Sequence, residues 1–265
     1  MRAIWVTDIH LNFLKWEERK AFFSSILQLH PDALFITGDI AEAPTLEPLL
    51  MEIIQSIQKP TYFVLGNHDF YRGSIPQVRA SLQKLCDANQ KLTYLSGNGI
   101  VEITKTTALL GHDGWGDGRL GNYAQSPVRL SDHELIQELI GLEYMELIQK
   151  LRQLGDEAAS TIRESLHEAL NSYQHVFFLT HVPPFKESCW YQGKIGGDDW
   201  LPFFACKAVG DVLHEVMQDR RKGQLTVLCG HTHHAGIAQI LPNLRVITGS
   251  AEYGEPGIQD ILEIT

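Results

Sequence analysis

Tyr62-Phe63-Val64-Leu65-Gly66-Asn67-His68-Asp69 changes character in the middle: apolar residues of strand-forming type stop at a glycine and give way to an amide, an imidazole and a carboxylate. Aromatic and β-branched side chains fit a half-buried pleated surface, whereas polar groups directly after them have no place in a core. The same break recurs along the chain. Ile4 to Thr7 runs into Asp8-Ile9-His10, Ala33 to Thr37 into Gly38-Asp39, His175 to Thr180 into His181, and Leu225 to Cys229 into Gly230-His231-Thr232-His233. Amphipathic stretches, Trp16 to Leu29 and Leu46 to Ile57, separate the first three runs, so the opening reads β-α-β-α-β. In folds of this kind the loops at the carboxyl ends of the strands collect functional groups. All five polar breaks are therefore expected at one sheet edge.

The remaining pattern is consistent with a single α/β unit. A helix is expected at Pro76 to Asp87, then strands at Lys91 to Leu95, Ile100 to Ile103 and Thr107 to Leu110, with a hairpin at Lys105-Thr106. Ser131 to Asn171 has helical periodicity, with Ser131 or Asp132 as cap and Gly155-Asp156 as a break between two helices. A helix fits Ala205 to Gln218, and strands fit Ile237 to Leu241, Arg245 to Thr248 and Ile258 to Ile264. No internal repeat, low-complexity tract or linker divides the chain. The expectation is one domain over residues 1–265 with a helical insertion at about 125–172.

Composition narrows the function classes. With 265 residues, 44% of them hydrophobic, the chain can bury a large core, which excludes disordered, collagen-like and coiled-coil classes. Its net charge of −10, with no block of Lys and Arg, disfavours nucleic acid as a partner, because binding many phosphates needs a basic footprint. The longest apolar runs fall far short of the roughly 18 residues that would span a bilayer, so no membrane partner is expected. Ala3-Ile4-Trp5-Val6 near the start does not resemble a signal peptide, and cytoplasmic residence is the expectation. Cys86, Cys189, Cys206 and Cys229 show no C-x-x-C spacing and read as reduced thiols.

Taken singly, an Asp after a strand is a turn former and a His is a packed core group. Taken together, the five breaks supply carboxylates, an amide and imidazoles at one edge. Oxygen and nitrogen donors without thiolate suit divalent or trivalent manganese, iron or zinc. There are too many donors for one ion, and seven suffice for two if a carboxylate bridges them. Two ions about 3.5–4 Å apart clamp a phosphate for in-line displacement and activate a bridging hydroxide. Asp8-x-His10 and His231-x-His233 would each direct both side chains to one face if extended. Gly38, Gly66 and Gly230, each just before a donor, permit close backbone approach.

The series Asp8-x-His10, Gly38-Asp39, Gly66-Asn67-His68-Asp69, His181-Val182-Pro183-Pro184 and Gly230-His231-Thr232-His233 resembles the calcineurin-like metallophosphoesterase family, with all five motifs in family order. The resemblance implies a four-layer α/β/β/α sandwich with metals at the strand ends. It implies that Asp8, His10, Asp39 and His233 hold a first metal, and that a bridging Asp39, Asn67, His181 and His231 hold a second. It further implies that His68 faces the substrate phosphate, protonating the leaving oxygen or stabilising developing charge, and that Asp69 orients its imidazole.

Two irregular stretches are the candidates for reading the substrate. Gly111 to Arg119 is glycine-rich and is expected to form a pocket wall, with His112 near the metals and Arg119 gripping an anion alongside Asn67. Phe185 to Leu201 carries Trp190, Tyr191 and Trp200, which can stack on a nucleobase or seal the loop onto the core. The expected activity is hydrolysis of a small soluble phosphoester, whether monoester, diester or nucleotide, with two metal ions, manganese or iron favoured. The alternatives are a nuclease of the same chemistry and a non-catalytic interaction scaffold. Oligomeric state is not legible in the sequence.

Overall fold

A computed structural model describes residues 1–265. Thirteen strands and seven helices follow in the order β1 (Arg2–Val6), α1 (Trp16–Gln28), β2 (Ala33–Thr37), α2 (Ala43–Ile57), β3 (Thr61–Val64), α3 (Ile75–Asp87), β4 (Leu92–Tyr94), β5 (Val101–Glu102), β6 (Thr107–Gly111), α4 (Asp132–Leu135), α5 (Tyr144–Ser172), β7 (His175–Leu179), β8 (Trp190–Tyr191), β9 (Lys194–Ile195), α6 (Leu201–Phe204), α7 (Lys207–Gln218), β10 (Gln224–Cys229), β11 (Gly236–Leu241), β12 (Leu244–Thr248) and β13 (Ile258–Glu263). One sheet has the order β13-β1-β2-β3-β4 and the other β11-β12-β10-β7-β6-β5, while β8 and β9 form a separate hairpin. Each large sheet is parallel in its middle, with antiparallel partners at β13, β11 and β5. The hairpin expected at Lys105-Thr106 joins β5 to β6.

Period-2 alternation builds the layers. In β1, Ile4 and Val6 face the cluster containing Phe22, Phe23 and Ile26 of α1 and Leu50 and Ile53 of α2. Ala3 and Trp5 face the opposite way, meeting Phe35, Val64, Leu109, Phe177 and Leu228 between the two sheets. On the far side, Leu110, Phe178 and Val227 pack with Ile162 and Leu166 of α5 and Val209, Val212 and Leu213 of α7. The result is the α/β/β/α sandwich. Each fully buried Phe or Leu here contributes on the order of 1.5–3 kcal/mol.

The helical segment begins at Asp132 with one turn, and its long helix α5 covers the second sheet as the fourth layer. Gly155-Asp156 does not break it: α5 runs 29 residues without interruption. Gly155 serves packing instead, since a Cβ there would run into the side chain of Asp117.

The two sheets are joined near the end of β6 by Asp113, which is 1% exposed. Its carboxylate accepts hydrogen bonds from the Leu65 amide at 2.9 Å, the Ser96 hydroxyl at 2.7 Å, the Tyr94 hydroxyl at 2.6 Å and Arg79 Nε at 3.0 Å.

Candidate metal centre

The loops that follow β1 and β2 are zipped together. The Asp8 amide donates to the Gly38 carbonyl, the His10 amide to Asp39 and the Leu11 amide to Ile40, at 2.8–3.0 Å. The loop after β10 joins them from the other sheet, its His231 amide donating to Asp8 Oδ1 at 3.1 Å. Convergence does not come from extended backbone as the x-spacing suggested. Asp8 (φ 49°), His10 (39°), Asp39 (51°), His231 (69°) and His233 (59°) all adopt left-handed conformations, which Asp and His tolerate better than most residues. Gly38, at φ 89°, is needed as glycine because a Cβ would strike the Gly66 amide and the His181 ring. Side chains at Gly66 and Gly230 would collide with the carboxylates of Asp39 and Asp8.

Donor atoms of Asp8, His10, Asp39 and His233 all lie within 4.8 Å of one another. Asp39 joins this group to a second one. Its Oδ1 lies 3.4 Å from His181 Nε2, and its Oδ2 lies 3.8 Å from His10 Nε2. Asn67 Oδ1 lies 3.2 Å from His181 Nε2, and the rings of His181 and His231 are 4.9 Å apart. The seven expected metal residues therefore form one contiguous cluster, joined through Asp39 and His181.

Backbone contacts select the ring nitrogens. His181 Nδ1–H donates to the Thr37 carbonyl at 2.8 Å, which leaves Nε2 toward Asp39 and Asn67. His231 Nε2 is 3.1 Å from the Phe203 carbonyl, which leaves Nδ1 with a free lone pair. Both ring nitrogens of His10 are buried without a hydrogen-bond partner. Such an orphaned imidazole among buried carboxylates fits a metal-binding role and is costly otherwise.

Electrostatics point the same way. Burial alone would raise the Asp39 carboxyl, but the His181, His68 and His10 imidazoles hold it well below the ordinary value. Burial pushes His10 down to about 4 and His231 down to about 3, with His181 adding to the second shift, so both present neutral lone pairs. Burial would also lower His181, yet Asp39 and Asp8 bring it up to about 10. A cation is favoured where these two carboxylates meet.

The group opens into a cavity of about 530 Å³, lined by Asp39, Asn67, His68, His231 and His233 on its floor. Trp190, Tyr191, Trp200, Phe204 and Tyr253 form much of its wall, and Arg129 is the only Lys or Arg along it. The aromatic loop reaches the cavity through Trp190, Tyr191 and Trp200, and Phe204 of α6 stacks on His231 at 4.4 Å and meets Trp200 at 5.7 Å.

Three expectations for polar side chains fail on their hydrogen bonds. Asp69 does not bond the His68 imidazole; its Oδ1 accepts the amides of Ile40 and Ala41, and its Oδ2 the amide of Gly66. It is a clamp on the two donor loops. Arg119 is held by Asp117 and Asp156 and does not line the cavity. His112 is buried outside the cavity, with Nδ1 accepting from the Gly114 amide at 3.1 Å.

Three residues at the centre escaped sequence reading. Tyr71 stacks on His68 with ring centroids 4.2 Å apart. Tyr253, in the loop before β13, lies over His10 at 4.6 Å and His233 at 5.1 Å. Asp132, expected as a helix cap, is buried and accepts from Asn67 Nδ2. Their only sequence signal is location: Tyr71 lies two residues past the Gly66-Asn67-His68-Asp69 motif, and Tyr253 sits in a loop at the same sheet edge.

The calcineurin-like phosphoesterase family model matches residues 1–235. The chain belongs to the calcineurin-like phosphoesterase family. Its fold is shared with a phosphopantetheinyl hydrolase from Mycobacterium tuberculosis at a TM-score of 0.68 and 14% identity, covering 95% of this chain and 89% of that one. A dimetal phosphatase from Danio rerio aligns with a TM-score of 0.60 and 12% identity over 94% of this chain and 87% of the other. At these identities the likeness establishes the fold alone. No curated protein matches the sequence. Family membership makes the chain a metal-dependent phosphoesterase by kind, and Asp8, His10, Asp39 and His233 form its candidate metal-binding group. No helix is long and apolar enough to cross a membrane.

Proposed function

We propose that this chain hydrolyses a small soluble phosphoester using two metal ions. Asp8, His10, Asp39 and His233 would hold one, and Asp39, Asn67, His181 and His231 the other. The observation that carries this reading is the division of the Asp39 carboxylate, one oxygen toward His181 and the other toward His10. Metal ions held there would activate water and offset the charge of the phosphate oxygens. The donor set, without thiolate, suits manganese or iron and also accepts zinc. Four free cysteines fit a reducing, cytoplasmic setting.

The chain's own residues supply the rest. His68 lies at the cavity edge with Nε2 4.0 Å from Asp39 Oδ2, in position to give a proton to the departing oxygen or to balance its charge. Asp69 keeps the Asp39 and Asn67 loops in register through three backbone amides. The cavity has the volume of a site for an organic ligand rather than for bare phosphate, so the aromatic wall would cover the alcohol portion and exclude water.

The test is a panel of phosphomonoesters, phosphodiesters, nucleotides and single-stranded DNA, run with manganese, iron and zinc, wild type beside His68→Ala. Metal analysis of protein purified without chelator accompanies it. Two equivalents of metal and turnover of a small ester are expected. Protein that binds no metal, or cleaves only DNA, overturns the reading.

A further inference from the structure

An asparagine can hold a metal only if its carboxamide is turned oxygen-inward, and nothing in Gly66-Asn67-His68-Asp69 secures that. The structure does, from outside the five motifs. Asn67 Nδ2 donates to Asp132 Oδ1 at 2.9 Å, and the Tyr71 hydroxyl donates to the same oxygen at 2.7 Å. Asp132 is 6% exposed and forms no ion pair with any Lys or Arg. A buried carboxylate without a cation is costly unless its hydrogen bonds are complete. A carboxylate can only accept, so it draws the amide nitrogen toward itself and sends Oδ1 to the far side. That oxygen lies 3.2 Å from His181 Nε2. Through Tyr71, whose ring stacks on His68 at an interplanar angle of 29°, the same carboxylate also supports the His68 ring.

We infer that Asp132 is a positioning residue for the second metal: it fixes the Asn67 carboxamide with its oxygen inward and, by anchoring Tyr71, steadies the plane of His68. The inference rests on the two-metal reading. It assigns a role to a segment that the family motifs do not reach, and it makes that role specific to one of the two metal positions, since Asp132 touches no donor of the Asp8 group.

The experiment is manganese titration of the metal-stripped full chain by calorimetry, followed by kinetics on whichever small ester the wild type cleaves. Asp132→Ala and Asp132→Leu should weaken the second manganese equivalent by about 10–100-fold, the range for partners behind metal ligands, and leave the first unchanged. Asp132→Asn keeps an oxygen that can accept from Asn67 and should restore affinity to within a few-fold. Melting of the stripped proteins separates these effects from misfolding, and the Leu variant keeps the site filled if Ala collapses it. Two equivalents bound by Asp132→Ala and Asp132→Leu with wild-type affinity, or both equivalents weakened alike, overturn the inference alone. A wild type that takes up fewer than two equivalents overturns the two-metal reading and this inference with it.

Discussion

Tyr253 places its hydroxyl 3.4 Å from His68 Nε2 while its ring covers His10. The contact crosses from the loop before β13 to the loop after β3, and Tyr253 remains 52% exposed at the cavity edge. Its phenol is thus available both to His68 and to an incoming phosphate. Tyr253→Phe keeps the ring over the centre and removes only the hydroxyl. We expect kcat to fall by roughly tenfold, in line with the loss of one hydrogen bond to a charged group of about 1.5 kcal/mol, with metal content unaltered. An unchanged kcat would assign Tyr253 to covering alone.

His68 stands beside Asp39 and stacks on Tyr71, and in the proposed reading it is not a metal ligand. His68→Ala should lower turnover by about 10²–10⁴-fold, the span typical of a lost general acid, with both metal equivalents retained. The loss should be smaller for esters whose leaving group departs readily without a proton. Equal losses for good and poor leaving groups would remove the proton-donor role.

Asp113 offers a stability test at a buried carboxylate that is not among the proposed metal ligands. Burial would raise its carboxyl, but Arg79, His112 and the hydroxyls of Tyr94 and Ser96 hold it below 3.8. A carboxyl depressed in the folded state takes up its proton less readily there than in the unfolded chain. Its stabilising contribution is therefore complete above about pH 4 and is lost as pH falls through the folded value. Asp113→Asn should cost about 3–5 kcal/mol at pH 7, the range for a broken buried pair. The gap in urea midpoints between variant and wild type should narrow near pH 3. A gap that widens toward acid contradicts this sign.

Arg129 and Trp200 line the cavity and are not among the proposed metal ligands. For an ester with a ring system and a second anionic group, Trp200→Ala and Arg129→Ala should each raise KM by about tenfold, with little change in kcat. For a compact ester the same variants should leave KM within a few-fold. Indistinguishable ratios across the two esters would place the substrate's alcohol portion elsewhere.

The residues around Asp39 were legible because each stands where an apolar run stops, and polar groups there need a partner of their own. The layers were legible because alternation in runs such as Ala3 to Val6 sorts side chains to two faces. Hydrogen-bond partners were not. Asp69 adjoins His68 in sequence, yet three backbone amides compete successfully for its oxygens. Asp132 lies 65 residues from Asn67, and no local pattern distinguishes a capping carboxylate from one that folds back onto a distant amide. Gly155 was misread for the same reason: its neighbour Asp117 is supplied by another part of the chain.

The left-handed backbone at Asp8, His10, Asp39, His231 and His233 sets heat tolerance against reactivity. Such conformations cost of order 1–3 kcal/mol each in residues other than glycine, a large share of a net stability of about 5–15 kcal/mol. Glycine would relax every one of these turns and leave nothing to grip an ion. A lineage selected only for thermal endurance would drift toward that relaxed, inert chain, and the tension in these loops is kept only while turnover is under selection.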